Sequence, residues 1–300
     1  MSGRTLVIGW FSFELMGTTA GDAIARDVAC RWLAKAGVTT DVAVTDAQLQ
    51  GEVATDDVQP EEYDTVVFVC GPIGDGPPLN AFLDRFPHAR KLALNVSLLQ
   101  DPDEWNPFAA VVERDGADVV RPDITFAAAD LGVPVVGVVL VGRQEEYPTQ
   151  RHDLAEQAIR DALVARGVAA MSIDTRLDVN RHGLRNAAQI ESAIAKMDAV
   201  LTTRLHGAAL ALRRGVAPVA IDSVPGGSKL RAQMVRIGWP LIFHTADVNA
   251  SAVADALDYA LTDEARALAA DCAARARRDV EVVEAEFLAA LGVAPVPSPR

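Results

Sequence analysis

The sequence predicts an α/β protein of two domains, each built on a parallel sheet. Three observations point there. Short β-branched runs alternate with Ala/Leu/Arg stretches of helical period; several strands are apolar throughout, as in sheets covered on both faces; and the alternation restarts near Val133 after a polar, turn-forming stretch from Asp115 to Asp130. The expected organisation is a first domain over residues 1–130 and a second over 131–262. A helix over 263–291 could pack back on the first domain, and a tail follows over 292–300. Two sheets facing a central cleft is the resulting picture.

In chain order, the expected strands are Thr5–Trp10, Thr65–Gly71, Leu92–Val96, Val133–Val141, Ala199–Thr202 and Val216–Ile221. The expected helices are Gly21–Lys35, Leu154–Arg166, Ala187–Met197, Gly207–Arg214, Lys229–Ile237, Val248–Leu261 and Asp263–Leu291. Gly37, Gly167 and Gly215 each follow a helix where a left-handed cap is wanted.

Composition narrows the function. A chain of 300 residues, half of them apolar, can bury a sizeable core. Its net charge of −13 repels phosphates, so broad binding to nucleic acid or anionic membrane is excluded, and an anionic substrate must meet a local basic focus. Charged residues interrupt every apolar stretch before it reaches the length of a membrane span, and the amino-terminal run lacks the form of a signal peptide. A cytoplasmic protein is expected. Cys30, Cys70 and Cys272 are widely spaced with no C-x-x-C pair, which fits free thiols rather than a disulfide framework or a metal site. The sequence does not set the oligomeric state.

The first strand leads through an aromatic and glycine-containing loop to Gly21-Asp22, where a helix begins. Such a strand-to-helix junction presents free amides to an anion or polar group, while Asp22 alone also serves as a first-turn carboxylate against the helix dipole. No G-x-G-x-x-G or Walker A pattern occurs, so dinucleotide and P-loop sites are excluded. The loop after Thr65–Gly71 carries Gly71, Gly74 and Gly76 at a strand's carboxyl end, where open α/β sheets line their ligand crevice. Arg114-Asp115 lies near the end of the first series.

The most informative run is Thr202-Thr203-Arg204-Leu205-His206-Gly207, in the turn after a buried strand, with Gly207 and Ala208 leaving room for a ligand. The next strand ends in another such turn, Gly226-Gly227-Ser228-Lys229, which offers amide, hydroxyl and ammonium donors to a phosphate or carboxylate. Lys229 is one of only four lysines, with Lys35, Lys91 and Lys196. Adjacent strand ends that supply Arg204, His206 and Lys229 point to an anionic substrate.

On these residues the sequence resembles the polysaccharide pyruvyltransferase family, which carries an Arg-Leu-His motif after a second-domain strand and a lysine-bearing loop after the next. Arg204-Leu205-His206 and Lys229 match those elements, Gly21-Asp22 is similar to the family's first helix start, and Arg114-Asp115 to its Arg-Asp element. The order holds from about Leu6 to Pro240; the first-domain glycine run is matched only in part, by Gly71-Pro72-Ile73-Gly74. The resemblance implies two Rossmann-like domains of GT-B type, phosphoenolpyruvate as donor substrate, no cofactor, and a sugar or glycan hydroxyl pair as acceptor. On that basis His206 would be the general acid, with Arg204, Arg114 and Lys229, and also Arg143, holding donor phosphate and carboxylate. Asp22 or Asp115 would orient the acceptor; apart from the resemblance, Trp105 in the segment Asp101 to Asn106 could stack on a sugar or simply close a core. A helix N-terminus opposes positive charge, so the acid role calls for a nearby carboxylate or the donor's own phosphate. The alternatives are a nucleotide-sugar-dependent glycosyltransferase of the same fold, or a non-catalytic ligand-binding relative.

Overall fold

The computed structural model describes residues 3–45, 53–116, 119–130, 132–142, 149–245 and 247–293. The chain divides into two compact units, Met1–Leu131 and Gly132–Arg300.

The first unit contains β1 (Arg4–Ile8), α1 (Ala20–Lys35), β2 (Thr40–Val44), β3 (Val53–Ala54), β4 (Tyr63–Ile73), α2 (Leu79–Leu83), β5 (Arg90–Leu98) and β6 (Ala110–Glu113). Its six strands lie in the order β3-β2-β1-β4-β5-β6 and every pairing is parallel. Alternate residues serve opposite faces. Leu6, Ile8, Val66 and Phe68 enter a phenylalanine-rich core with Phe13, Phe82 and Phe86, whereas Val7, Val67 and Val69 pack under α1 with Ala25 and Ala29. The first strand stops at Ile8, two residues short of the expected end. Ser12 accepts from the Gly9 amide at 3.1 Å and donates to the Ala43 carbonyl at 2.6 Å, which winds Trp10–Ser12 into a 3-10 turn.

The second unit contains β7 (Val135–Val139), α3 (His152–Arg166), β8 (Ala169–Ser172), α4 (Ala187–Ile194), β9 (Ala199–Thr202), α5 (Leu205–Arg213), β10 (Ala217–Asp222), α6 (Lys229–Ile237), β11 (Ile242–His244), α7 (Ala250–Ala260) and α8 (Asp263–Ala290). Its sheet runs β11-β10-β9-β7-β8, again wholly parallel. Ala199 and Leu201 face one core with Val219, Leu257 and Trp239, and Val200 faces the other with Ile190 and Ile194. The buried Trp239 indole donates to the Pro218 carbonyl at 2.8 Å, which satisfies its one polar atom. The first half of α8 packs on α5, α6, α7 and β10.

Both units are thus Rossmann-like doubly wound sheets. Their strand orders place a reversal between β1 and β4 in the first unit and between β7 and β9 in the second. In such sheets the crevice opens at the carboxyl ends beside the reversal. Among the described residues no helix is long and apolar enough to cross a membrane.

Candidate functional site

At the second unit's reversal, two threonines tie β9 to β7. Thr202 Oγ1 donates to the Val139 carbonyl at 2.8 Å and accepts from the Arg204 amide at 2.9 Å, and Thr203 Oγ1 accepts from the Val141 amide at 2.9 Å. These bonds fix the turn that makes Arg204 the N-cap of α5. A Cβ on Gly207 would lie 2.3 Å from Thr202 Oγ1 and 2.8 Å from Val139 Cγ1, so the room expected there for a ligand is filled by the protein's own strands. Gly207→Ala is expected to destabilise the second unit by about 1–3 kcal/mol through overpacking, measurable by urea unfolding.

Arg204 is half-buried and its guanidinium donates to Thr175 Oγ1 at 2.7 Å. It lines a cavity of about 390 Å³ at the carboxyl ends of β7, β8 and β9, together with Leu140 and Gly142, Asp174, Arg176, Arg181 and His182. Arg176, Arg181 and His182 are absent from the sequence expectation. They lie in an irregular segment organised by one side chain: Asn180 Nδ2 donates to the Asp174 and Arg176 carbonyls at 2.8 Å each, and its Oδ1 accepts from the His182 and Leu184 amides at 2.9 Å each. Arg176 is engaged by Asp178 at 2.5 Å and holds that carboxyl well below the usual range. Arg181 and Arg204 therefore set the positive character of the cavity, opposed by Glu156 and Asp174 in its wall. His206 stands two residues beyond Arg204, exposed on the first turn of α5.

The second turn is organised from within. The Asp222 carboxylate, 1% exposed at the end of β10, accepts from Val224 N at 3.1 Å, Ser228 N at 2.7 Å, Ser228 Oγ at 3.0 Å and Arg231 N at 3.1 Å. The Gly226 amide donates to His244 Nε2 at 3.0 Å, and Gly227 N to the Val224 carbonyl at 3.0 Å. Gly226 and Gly227 both adopt left-handed backbone, φ 86° and 90°, which is why the turn needs glycine. The amide and hydroxyl donors expected to meet a substrate anion are occupied by Asp222, His244 and Val224. Lys229 is exposed at the first residue of α6.

In the first unit Thr19 caps α1 and Asp22 completes a capping box, accepting from Thr19 N at 2.8 Å and Thr19 Oγ1 at 2.7 Å. At the reversal the Trp10 indole covers Gly71, whose added Cβ would meet it at 2.4 Å. Gly74 is similarly close to the Gln100 side chain, whose Oε1 takes the Asp75 amide at 3.0 Å. Arg114 binds Asp115 at 2.7 Å, Asp123 at 2.9 Å and Ser97 Oγ at 3.3 Å. The sequence expectation placed Arg114 on a substrate anion; here two carboxylates of the chain hold it. Burial pushes the Asp123 carboxyl up, but the Thr125 amide, Asn95 and Arg114 bring it below the usual range overall. Arg143, the remaining expected donor ligand, lies outside the described residues.

Cys70 and Asn95 sit side by side in β4 and β5 with φ of 69° and 60°, a left-handed conformation that non-glycine residues adopt at a cost. Asn95 Nδ2 reaches Cys70 Sγ at 3.6 Å and Asp123 Oδ2 at 3.2 Å. Burial, then Asp22, pushes the Cys70 thiol up to about 11. The folded state therefore favours the protonated thiol, and the stability this contributes is lost as pH rises from the ordinary 9.0 through the folded value. A disulfide reagent at pH 8 is expected to label Cys70 only after unfolding; labelling of the native protein at the rate of a small thiol would contradict the assignment.

The fold and site define a two-unit α/β protein with an arginine-lined cavity at the strand-order reversal of its second unit. No protein-family model and no curated protein matches the chain. Solved structures do. A UDP-GlcNAc 2-epimerase from Methanocaldococcus jannaschii is 11% identical, with 87% of this chain and 93% of that chain covered, at a TM-score of 0.32. The glycotransferase of kitacinnamycin is 12% identical, with 94% and 98% covered, at 0.34. Spinosyn rhamnosyltransferase SpnG is 12% identical, with 90% and 95% covered, at 0.32.

Proposed function

We propose that the chain is a pyruvyltransferase that uses phosphoenolpyruvate and a sugar or glycan diol to form a pyruvate ketal and phosphate. The observation that carries this reading is the cavity of about 390 Å³ whose wall brings Arg204 and Arg181 together with His182, two guanidinium groups for an anion with two charged ends. The resemblance through Arg204-Leu205-His206 and Lys229 points the same way. Guanidinium groups suit both ends, because they meet phosphate and carboxylate oxygens in forked geometry.

In the proposed chemistry His206 gives a proton to the enol methylene, which becomes the methyl group and leaves an oxocarbenium-like centre at C2. Two acceptor hydroxyls form two C–O bonds to C2 while the bond from C2 to the phosphate oxygen breaks. Of the two hydroxyl protons, one restores His206 and the other leaves with phosphate. Arg204 and Arg181 stabilise the departing dianion electrostatically.

Thermal-shift titration tests the donor assignment. Phosphoenolpyruvate is expected to raise the unfolding midpoint of the wild type and, at the same concentration, to raise that of Arg204→Ala much less. Stabilisation by nucleoside diphosphates, with none by phosphoenolpyruvate, would assign the cavity to a nucleotide-sugar donor instead.

A further inference from the structure

Helix α8 runs for 28 residues, yet its buried positions, Ala265, Ala269, Cys272 and Ala273, all fall in the first half. Beyond them one face continues as Val280, Val283, Phe287 and the C-cap Leu291, exposed by 62%, 59%, 62% and 58%. Spacings of three and four keep these side chains on a single stripe. The same face, one turn earlier, forms the floor of a groove of about 620 Å³ through Ala273 and Ala276, with Leu212, Met234 and Ile237 as its walls. Small side chains thus floor the groove, and large ones stand on the stripe that continues from it.

The charges are complementary along the same line. Arg214 and Arg277 border the groove, Arg213 beside them being paired with Glu191 at 3.0 Å, whereas Glu281, Glu284 and Glu286 accompany the projecting stripe. An antiparallel pairing of two α8 helices centred between Val280 and Glu281 sets Arg277 of each copy opposite Glu284 of the other. It also carries each Phe287 about 10 Å past the centre, level with the other copy's alanine floor. One surface supplies both knob and hole, which is the requirement of a two-fold interface.

We infer that this face is the interface of a homodimer in which the α8 helices of two copies pair antiparallel, each placing Val283 and Phe287 in the groove of the other. The occupant is a second copy of this chain. Neither Phe287 nor Glu284 belongs to the candidate site, so the pairing can be broken without touching the chemistry.

Light scattering during size-exclusion chromatography of the full chain is expected to give twice the chain mass of 31.9 kDa. Phe287→Asp should weaken the dimer at least about tenfold, as loss of an interface anchor does, with an unchanged circular dichroism spectrum. Arg277→Glu should also dissociate it, and adding Glu284→Arg should restore it. A wild type that stays monomeric at its highest soluble concentration overturns the inference. So does a dimer indifferent to Phe287→Asp, or a charge swap that fails to restore pairing.

Discussion

Alanine at His206 is expected to reduce turnover by about 10²- to 10⁴-fold, the usual worth of a positioned general acid, while phosphoenolpyruvate binding stays within a few fold of wild type. Alanine at Arg204 should instead weaken donor binding about ten- to a hundredfold, the equivalent of about 1.5–3 kcal/mol for a hydrogen bond to a charged group. The contrast follows from their positions. Arg204 lines the cavity and is oriented by Thr175, whereas His206 stands exposed on the first turn of α5, outside the cavity wall. Initial rates with titration calorimetry on both variants separate the roles. Equal loss of binding and turnover in His206→Ala would make it a binding residue.

The second large effect concerns stability. Asp222→Ala removes a buried acceptor of four hydrogen bonds and leaves the amides of Val224, Ser228 and Arg231 without their carboxylate. The expected cost is about 2–4 kcal/mol. That corresponds to a fall of roughly 5–10 °C in the unfolding midpoint. Asp222→Asn, which keeps the shape and one acceptor oxygen, should lose less. If the alanine variant melts with the wild type, Asp222 does not anchor the Gly226-Gly227 turn.

Legibility of the fold followed the locality of its signals. The stretch from β9 through α6 was readable almost to the residue, because its strands are apolar throughout and Gly215 closes α5 in left-handed conformation. Strands β2, β3, β6, β8 and β11 escaped. β8, for instance, is a four-residue edge strand with three exposed positions, and its place is set by parallel pairing to β7 rather than by any pattern of its own.

The candidate site divided along the same line. Arg204 and His206 stood out because they follow a strand directly. Arg176, Arg181 and His182 did not, since their segment has no period and is shaped by the four hydrogen bonds of Asn180. A missed signal was available at the Gly-Gly-Ser turn. An aspartate at a strand end shortly before a glycine turn and a helix start is a ready acceptor for the turn's own amides. The Arg114 partner Asp123 carried a similar clue, as the Asp before Thr125 that caps a short 3-10 turn.

The central proposal is pyruvyl transfer from phosphoenolpyruvate. Its most direct measurement is mass spectrometry of a mixed pool of sugars and small glycans incubated with enzyme and phosphoenolpyruvate, with phosphate release followed in parallel. Pyruvyl transfer predicts a product heavier than its acceptor by pyruvic acid less one water, one phosphate released for each, and both slowed at least about a hundredfold in His206→Ala. Glycosyl transfer from an added nucleotide sugar, with phosphoenolpyruvate unconsumed, would contradict it.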